Sequence, residues 1–371
     1  MADGLAKTPP MGWNSWNAFS MNIDEKSIKT MADLMVSSGL KDAGYIYLNL
    51  DDGWAAGRDF GGTIQPDRDK FPSGMKALGD YIHSKGLKFG IYTCAGNMTC
   101  GKLTGSRGFE KQDMKMYAAW GVDYVKIDWC NTEGLDSKTQ YALFRDGIRE
   151  SGRPMILSIC NWGVDKPWEW GKQMGQLWRT AGDLLPCWDC KTDWGGGGLV
   201  IDLDKQIGLE PYAGPGGWND PDMLQVGNGS LTPDECRVQF SLWAVLAAPL
   251  IAGNDLRKMT PEVKEILLNK EVIAVDQDPL GKQGTRVKQE GPEREVWARS
   301  LSGGEWAVCL LNRSSQKANI QVRWEDLGLK PAKTVVRDLW DHQDLGDFET
   351  GFGADVPSHG VVFIRIKPES I

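Results

Sequence analysis

The segment VDYVKIDWCN, residues 122–131, sets Lys126, Asp128 and Cys130 at alternate positions of an otherwise apolar, β-branched run. In a strand, residues i, i+2 and i+4 share a face, so the ammonium, the carboxylate and the thiol point one way. Ordinary core would not accept that face, because an unpaired charge costs several kcal/mol to bury. The same pattern recurs along the chain. Apolar runs end in Asp51-Asp52, in Arg179 and Asp183, in Asp220 and Asp222, and in Asp255. Trp54 and Trp218 fall beside these run ends, and Trp16 and Trp162 lie at the ends of two further apolar runs, at 11–16 and 155–160. A flat apolar ring beside hydrogen-bonding groups suits a sugar. Glycoside cleavage needs one carboxylate at the anomeric carbon and one acid at the leaving oxygen. Helix capping is the plainer role for such aspartates and is expected for Asp255 and Asp220.

Other chemistries fit less well. The three histidines are His83, in a helical pattern, and His342 and His359, near the C-terminus. None sits at an apolar run end, which disfavours a Ser-His-Asp hydrolase or a His-ligated metal centre. A Mg-dependent site with converging acids and a Lys base is one alternative. A Lys126 Schiff base is another, although Asp128 on the same face would keep Lys126 charged and non-nucleophilic. Cys187 and Cys190 have C-x2-C spacing with no second such pair, so a local disulfide or two free thiols is expected in place of zinc. Carboxylate-pair chemistry with no cofactor is the natural reading.

Positioning these groups calls for alternating strands and helices. Strand patterns occur at 11–16, 45–54, 88–93, 123–128, 155–160, 177–183, 216–220 and 249–255, with amphipathic stretches such as 25–38, 75–84, 109–119, 137–150 and 233–246 between them. Eight such units match a (β/α)8 TIM barrel in number and size, with the active site at the C-terminal strand ends. A doubly wound sheet is the rival, but its first strand usually runs into a Gly-rich phosphate loop, and here it runs into NSWNAF. The GGGG run at 195–198 is expected to be a flexible loop. Beyond Asp278-Pro279-Leu280-Gly281 the pattern becomes short strands separated by turns, an antiparallel β-sandwich. The expected domains are therefore 1–280, the barrel, and 281–371, the sandwich, to which a packing role is assigned.

Composition bounds the partners. Over 371 residues the net charge is −8, which argues against nucleic acid, and no run approaches the roughly 18–20 apolar residues of a membrane span. The seventeen Trp are mostly expected in core packing. Three Asn-x-Ser/Thr triplets, at Asn97, Asn228 and Asn312, are common by chance.

The motifs TPPMGWNSWNAF, NLDDGW, WGVDYVKIDWCN, SICNWG, WRTAGD, GGWNDPDML and AAPLIAGNDLR, in this order along nearly the whole chain, resemble glycoside hydrolase family 27. This family comprises α-galactosidases and α-N-acetylgalactosaminidases. The resemblance implies a retaining double displacement on terminal α-linked galactose, with Asp128 as nucleophile and Asp183 as acid/base. It implies that Asp51 and Asp52 bind the 4- and 6-hydroxyls, that Lys126 binds hydroxyls on the same side, and that Arg179 serves the 2-hydroxyl region. Trp16, Tyr92, Trp162 and Met223 would form apolar walls, with Asn161 beside the 2-position. It also implies a Cys100–Cys130 disulfide at the sugar pocket, pinning the end of strand four beside the next strand. Where many relatives have Cys this chain has Gly53, so that family disulfide is expected to be absent. Asn161, Trp162 and Val164 are not the small set that admits an acetamide, which favours galactose over N-acetylgalactosamine. A β-L-arabinopyranosidase is the other alternative within the family, and a catalytically silent sugar-binding protein the alternative outside it. A secreted or extracytoplasmic protein is expected, with a cytoplasmic one as the alternative, and a monomer or a homodimer.

Overall fold

The computed structural model describes residues 4–369. Its first half-and-more is a curled sheet of eight parallel strands: β1 (Met11–Asn14), β2 (Tyr47–Asn49), β3 (Lys88–Cys94), β4 (Tyr124–Asp128), β5 (Ile156–Cys160), β6 (Leu177–Arg179), β7 (Trp218–Asp220) and β8 (Leu250–Ala252). The hydrogen-bonded order is β8-β1-β2-β3-β4-β5-β6-β7. Sequential parallel order with β8 against β1 is the topology of a (β/α)8 barrel. Closure between β7 and β8 comes just past the end of β7, where Leu224 N–H donates to Ile251 O (2.8 Å). The intervening stretch, 221–223, is thereby left to bulge toward the strand ends.

The helices follow the apolar periodicity closely. The stretch expected at 25–38 forms Glu25–Ser37, started by a capping box in which Asp24 Oδ1 accepts from Ser27 N–H (2.7 Å) and Ser27 Oγ accepts from Asp24 N–H (3.1 Å). The stretch expected at 233–246 forms Pro233–Leu246, with Pro at its first position and a Thr232/Glu235 capping box. Three further helices, Pro167–Met174, Pro261–Leu267 and Lys270–Asp276, are too short to show a clear period in sequence. Asp255 behaves as expected: its side chain caps the one-turn helix Leu256–Lys258 by accepting from Arg257 N–H.

The C-terminal part is antiparallel. Strands β9 (Thr285–Glu290), β10 (Arg294–Ser300), β11 (Trp306–Asn312), β12 (Ala318–Arg323), β13 (Thr334–Asp338), β14 (Gln343–Phe348), β15 (Gly351–Val356) and β16 (Gly360–Pro368) form a sheet ordered β9-β10-β11-β16-β13-β14, faced by the pair β12-β15. The inner faces enclose a separate apolar cluster that includes Val296, Leu310, Ile320, Trp324 and Ile364. The other face of the large sheet, with Trp297, Leu311 and Phe363, joins the barrel's own core. Helix Pro233–Leu246 carries much of this contact. Arg299 Nη1 donates to Ala244 O (2.7 Å), and Trp340 Nε1 donates to Ser241 Oγ (2.9 Å). Asn312 is buried in the sandwich with its amide donating to three carbonyls, so it is unavailable for glycosylation.

Candidate active site

Barrel strands end where their helical crossovers begin, and at that mouth lies a cavity of about 800 Å3. Trp16, Asp51, Asp52, Tyr92, Cys100, Lys126, Asp128, Cys130, Trp162, Arg179, Asp183 and Met223 all line it. Most of the sequence-derived candidates thus converge; Asn161, Trp54 and Trp218 do not line it.

Consider first the floor, built from strand ends. Asp51 is buried, and its Oδ2 accepts from Lys126 Nζ (2.9 Å) and from Asn14 Nδ2 (2.8 Å). Lys126 is therefore paired with Asp51 across the barrel mouth and not with Asp128, its neighbour on β4. Burial works against the Lys126 charge, but Asp51 above all, with Cys160 and Asp128, holds its pKa well above the usual value. A lysine so held is a fixed cation and a poor Schiff-base nucleophile. Asp52 is fastened by Gly53 N–H (2.8 Å) and Gly101 N–H (2.8 Å), and burial pushes its pKa up. Gly53 has φ +112, and a Cβ there would meet Met21 O at 2.9 Å, so this turn accepts neither Cys nor any other side chain without movement.

Asp128 ends β4 with only 7% of its surface exposed. Its Oδ1 accepts from Trp129 N–H (2.9 Å) and its Oδ2 from the Tyr92 hydroxyl (3.0 Å). Burial raises its pKa to about 6; Lys126 opposes the shift, while Asp183 and then Asp51 add to it. Tyr92, buried beside these acids, is raised well above its usual range and stays a phenol donor. The Cys100–Cys130 disulfide forms, but Cys100 belongs to the loop after β3. It therefore ties the end of β4 to the preceding strand's loop, not to the next strand. Asn131 reinforces that tie by donating to Met98 O and Thr99 O (both 3.1 Å).

The other side is built from loops. Asp183 lies four residues beyond the end of β6, and its side chain is 48% exposed. Arg179, fully buried, reaches Asp183 Oδ1 through Nη2 (3.1 Å) and Asp222 Oδ1 through Nη1 (3.1 Å). Asp222 comes from the bulge after β7, has φ +91, and accepts from Leu184 N–H (2.8 Å). Burial lifts its pKa, Arg179 opposes this, and the like charges of Asp183 and Asp220 add to it.

Several expectations need correction. Asn161 is not on the cavity wall: it is fully buried, and its amide turns back to Val164 O in its own loop. Trp54 and Trp218, expected in the sugar cradle, are core. Their indoles donate to Tyr92 O (2.9 Å) and Ala6 O (2.8 Å), leaving Trp16 and Trp162 at the cavity. Asp220 is no helix cap; it sits beneath the wall and accepts from Asp222 N–H (2.9 Å). The GGGG run is not a flexible loop either. Gly196, Gly197 and Gly198 are buried, and Gly197 N–H donates to Asp183 O (3.0 Å). A Cβ on Gly182 would meet Gly195 O at 2.2 Å, so the glycines permit close packing against the Asp183 loop. Cys187 and Cys190 form a disulfide within that same loop. Sequence reading left Asp222 out of the binding set, and it missed Trp194, which lines the cavity. The NDPDM motif held the signal for Asp222; nothing local marked Trp194.

Fold and cavity together define a class: a (β/α)8 barrel with a carboxylate-lined mouth suited to a polyhydroxylated ligand, joined to a β-sandwich. Comparison with known proteins agrees. Residues 8–278 match the family described as Alpha galactosidase A, and residues 291–366 match the Alpha galactosidase C-terminal beta sandwich domain. The chain belongs to this α-galactosidase family, glycoside hydrolase family 27. It is 50% identical over 377 aligned residues to an Alpha-galactosidase A of Cellvibrio japonicus, covering 98% of this chain and 93% of that protein. Its structure is similar to that of α-galactosidase I from Mortierella vinacea (TM-score 0.97, 37% identity, 100% and 99% of the two chains covered). It is also similar to that of a Saccharomyces cerevisiae α-galactosidase with raffinose (TM-score 0.95, 30% identity, 99% of each chain covered).

Proposed function

We propose that this protein is a retaining α-galactosidase that removes terminal α-linked galactose from oligosaccharides or glycoconjugates. The observation that carries the reading is the unequal pair of acids facing one cavity: Asp128 buried and held by Tyr92 and Trp129, Asp183 half-exposed and held by Arg179. In this reading an Asp128 oxygen attacks the anomeric carbon. The glycosidic C–O bond breaks, and the leaving oxygen takes the proton of Asp183. Water then attacks the galactosyl ester, giving its proton to Asp183 and freeing Asp128. A nucleophile whose pKa is raised only to about 6 is ionised at neutral pH, as attack requires. Asp51, Asp52 and Lys126 form a rigid set of acceptors and a donor for hydroxyls, and Trp16 and Trp162 supply the apolar walls.

Trp162 and Val164, neither of them small, line the cavity, which supports galactose over N-acetylgalactosamine. The barrel, 1–280, carries the chemistry, and the sandwich, 281–371, packs against it. No helix of the described residues is long and apolar enough to cross a membrane. Two disulfides fit an oxidising, extracytoplasmic compartment. The test is to compare rates on nitrophenyl α-galactoside, α-N-acetylgalactosaminide and β-L-arabinopyranoside. The galactoside is expected to be turned over fastest; a preference for either of the others would overturn the substrate assignment.

A further inference from the structure

Trp194 stands apart from the other tryptophans. It is 64% exposed, whereas Trp13, Trp54 and Trp218 are fully buried, yet it lines the cavity with Leu185, Pro186 and Gly195. With Leu185 and Pro186 it makes an apolar stretch of cavity wall that the apolar face of a ligand would cover. Its position is held from several directions. Thr192 N–H donates to Gly196 O (3.0 Å), and Gly195 N–H donates to Thr192 O (3.2 Å). Leu185 N–H donates to Gly197 O (2.8 Å), closing the loop on itself, and the Cys187–Cys190 disulfide lies within it. The C-terminal domain braces the same loop: the Trp188 ring stacks on His359 (centroids 4.4 Å apart, 11° between planes), and His359 Nδ1 lies 2.8 Å from Glu235 Oε1. Trp194 therefore sits on a preorganised rim and not on a mobile loop.

From this placement we infer that Trp194 is the stacking platform for a sugar leaving group. The inference rests on the α-galactosidase reading above. The loop that bears Trp194 is bonded through Gly197 to the backbone of Asp183, the acid that must meet the leaving oxygen. Whatever hangs from that oxygen lies beside Asp183, and hence along this rim. The cavity, near the upper end of the usual ~300–1,000 Å3 range, holds more than one hexose. A pyranose offers an apolar face to the indole and hydroxyls to the neighbouring Lys205 and Gln225, which line the same cavity.

The experiment compares Trp194→Ala with the wild-type enzyme on raffinose, whose leaving group is a disaccharide, and on α-galactosyl fluoride, whose leaving group cannot stack. The variant is expected to lose about tenfold in kcat/KM on raffinose, mostly through KM, and to stay within about twofold on the fluoride. A second readout is transfer. When a sucrose hydroxyl attacks the galactosyl ester, it forms the new C–O bond, gives its proton to Asp183 and releases Asp128. The fraction of galactose passed to added sucrose in place of water is expected to fall in Trp194→Ala and to recover in Trp194→Phe. Equal losses on raffinose and fluoride, or no loss on either, would overturn the platform while leaving the α-galactosidase reading intact. Wild-type inactivity on both substrates would overturn the activity reading and the platform with it.

Discussion

The cavity has two walls made in different ways. On the strand-built floor, Asp51, Asp52 and Asp128 are nearly fully buried, and each is held by donors from neighbouring strands or turns. On the loop-built rim, Asp183 and Trp194 are 48% and 64% exposed, and their positions depend on packed glycines and a brace from the C-terminal domain. The difference fits the tasks assigned to each wall. Selecting one sugar requires donors and acceptors fixed to within a fraction of an ångström, which strands provide. Protonating a leaving group and admitting water requires an acid in contact with solvent, which a rim provides. The floor also pays in stability for three buried acids beside one lysine.

The largest effect that would sharpen this contrast is Asp128→Ala, expected to lower kcat on raffinose by roughly 10⁴-fold or more; activity near wild type would remove Asp128 from the nucleophile's role. Next, Asp183→Ala is expected to cost roughly 10²–10⁴-fold in kcat/KM on raffinose but far less in kcat/KM on α-galactosyl fluoride, whose departure needs no proton. Equal losses would mean that the rim acid does not serve the leaving group. On the floor, Asp51→Ala leaves Lys126 buried without its partner and is expected to cost about 10²–10³-fold in kcat/KM on both substrates alike. A loss confined to raffinose would contradict the division between walls. The pH profile is a gentler probe. In the proposed mechanism Asp128 must be ionised, and its pKa is raised to about 6, so kcat/KM is expected to fall about tenfold per pH unit well below 6.

The smallest effect runs in the opposite direction. The folded protein binds the Asp128 proton more tightly than the unfolded chain does, so the ionised acid lowers stability increasingly as pH rises from about 4 to about 6, and fully above that. Asp128→Asn, which removes the charge but not the bulk, is expected to stabilise the protein at pH 7 by on the order of 2 kcal/mol. A thermal melt shifted upward at pH 7, with the gain vanishing near pH 4, would confirm that the floor is strained for function; no shift would show that Lys126 and Tyr92 fully offset the buried charge.

Legibility divided along the same line. Every barrel strand and the five longer helices lay within a few residues of their sequence patterns, because burial on a sheet or helix face imposes a period that a chain of apolar and polar residues displays openly. Candidates at strand ends, such as Asp51, Lys126, Asp128 and Arg179, could be found because a charge closing an apolar run is costly anywhere but at a mouth. The errors came from residues in loops. Asn161 turns away because its amide is used locally, GGGG is packed and not free, and Trp54 and Trp218 are core although their flanking residues resemble those of Trp16. Composition shows that a ring is present; it does not show which way the ring faces.

The sequence by itself determined the order of strands and helices, the change to antiparallel structure after the barrel, and the acids that the barrel must carry to its mouth. These follow from periodicity and from the cost of burying charge, both local and additive along the chain. Only the tertiary structure decided that Lys126 pairs with Asp51 and not with Asp128, that Arg179 spans Asp183 and Asp222, and that Trp194 stays exposed on a rim steadied by His359. Each of those contacts joins segments whose approach depends on how the barrel closes and where the sandwich docks. No local pattern encodes that distance, and so the chemistry's final geometry is a property of the closed fold.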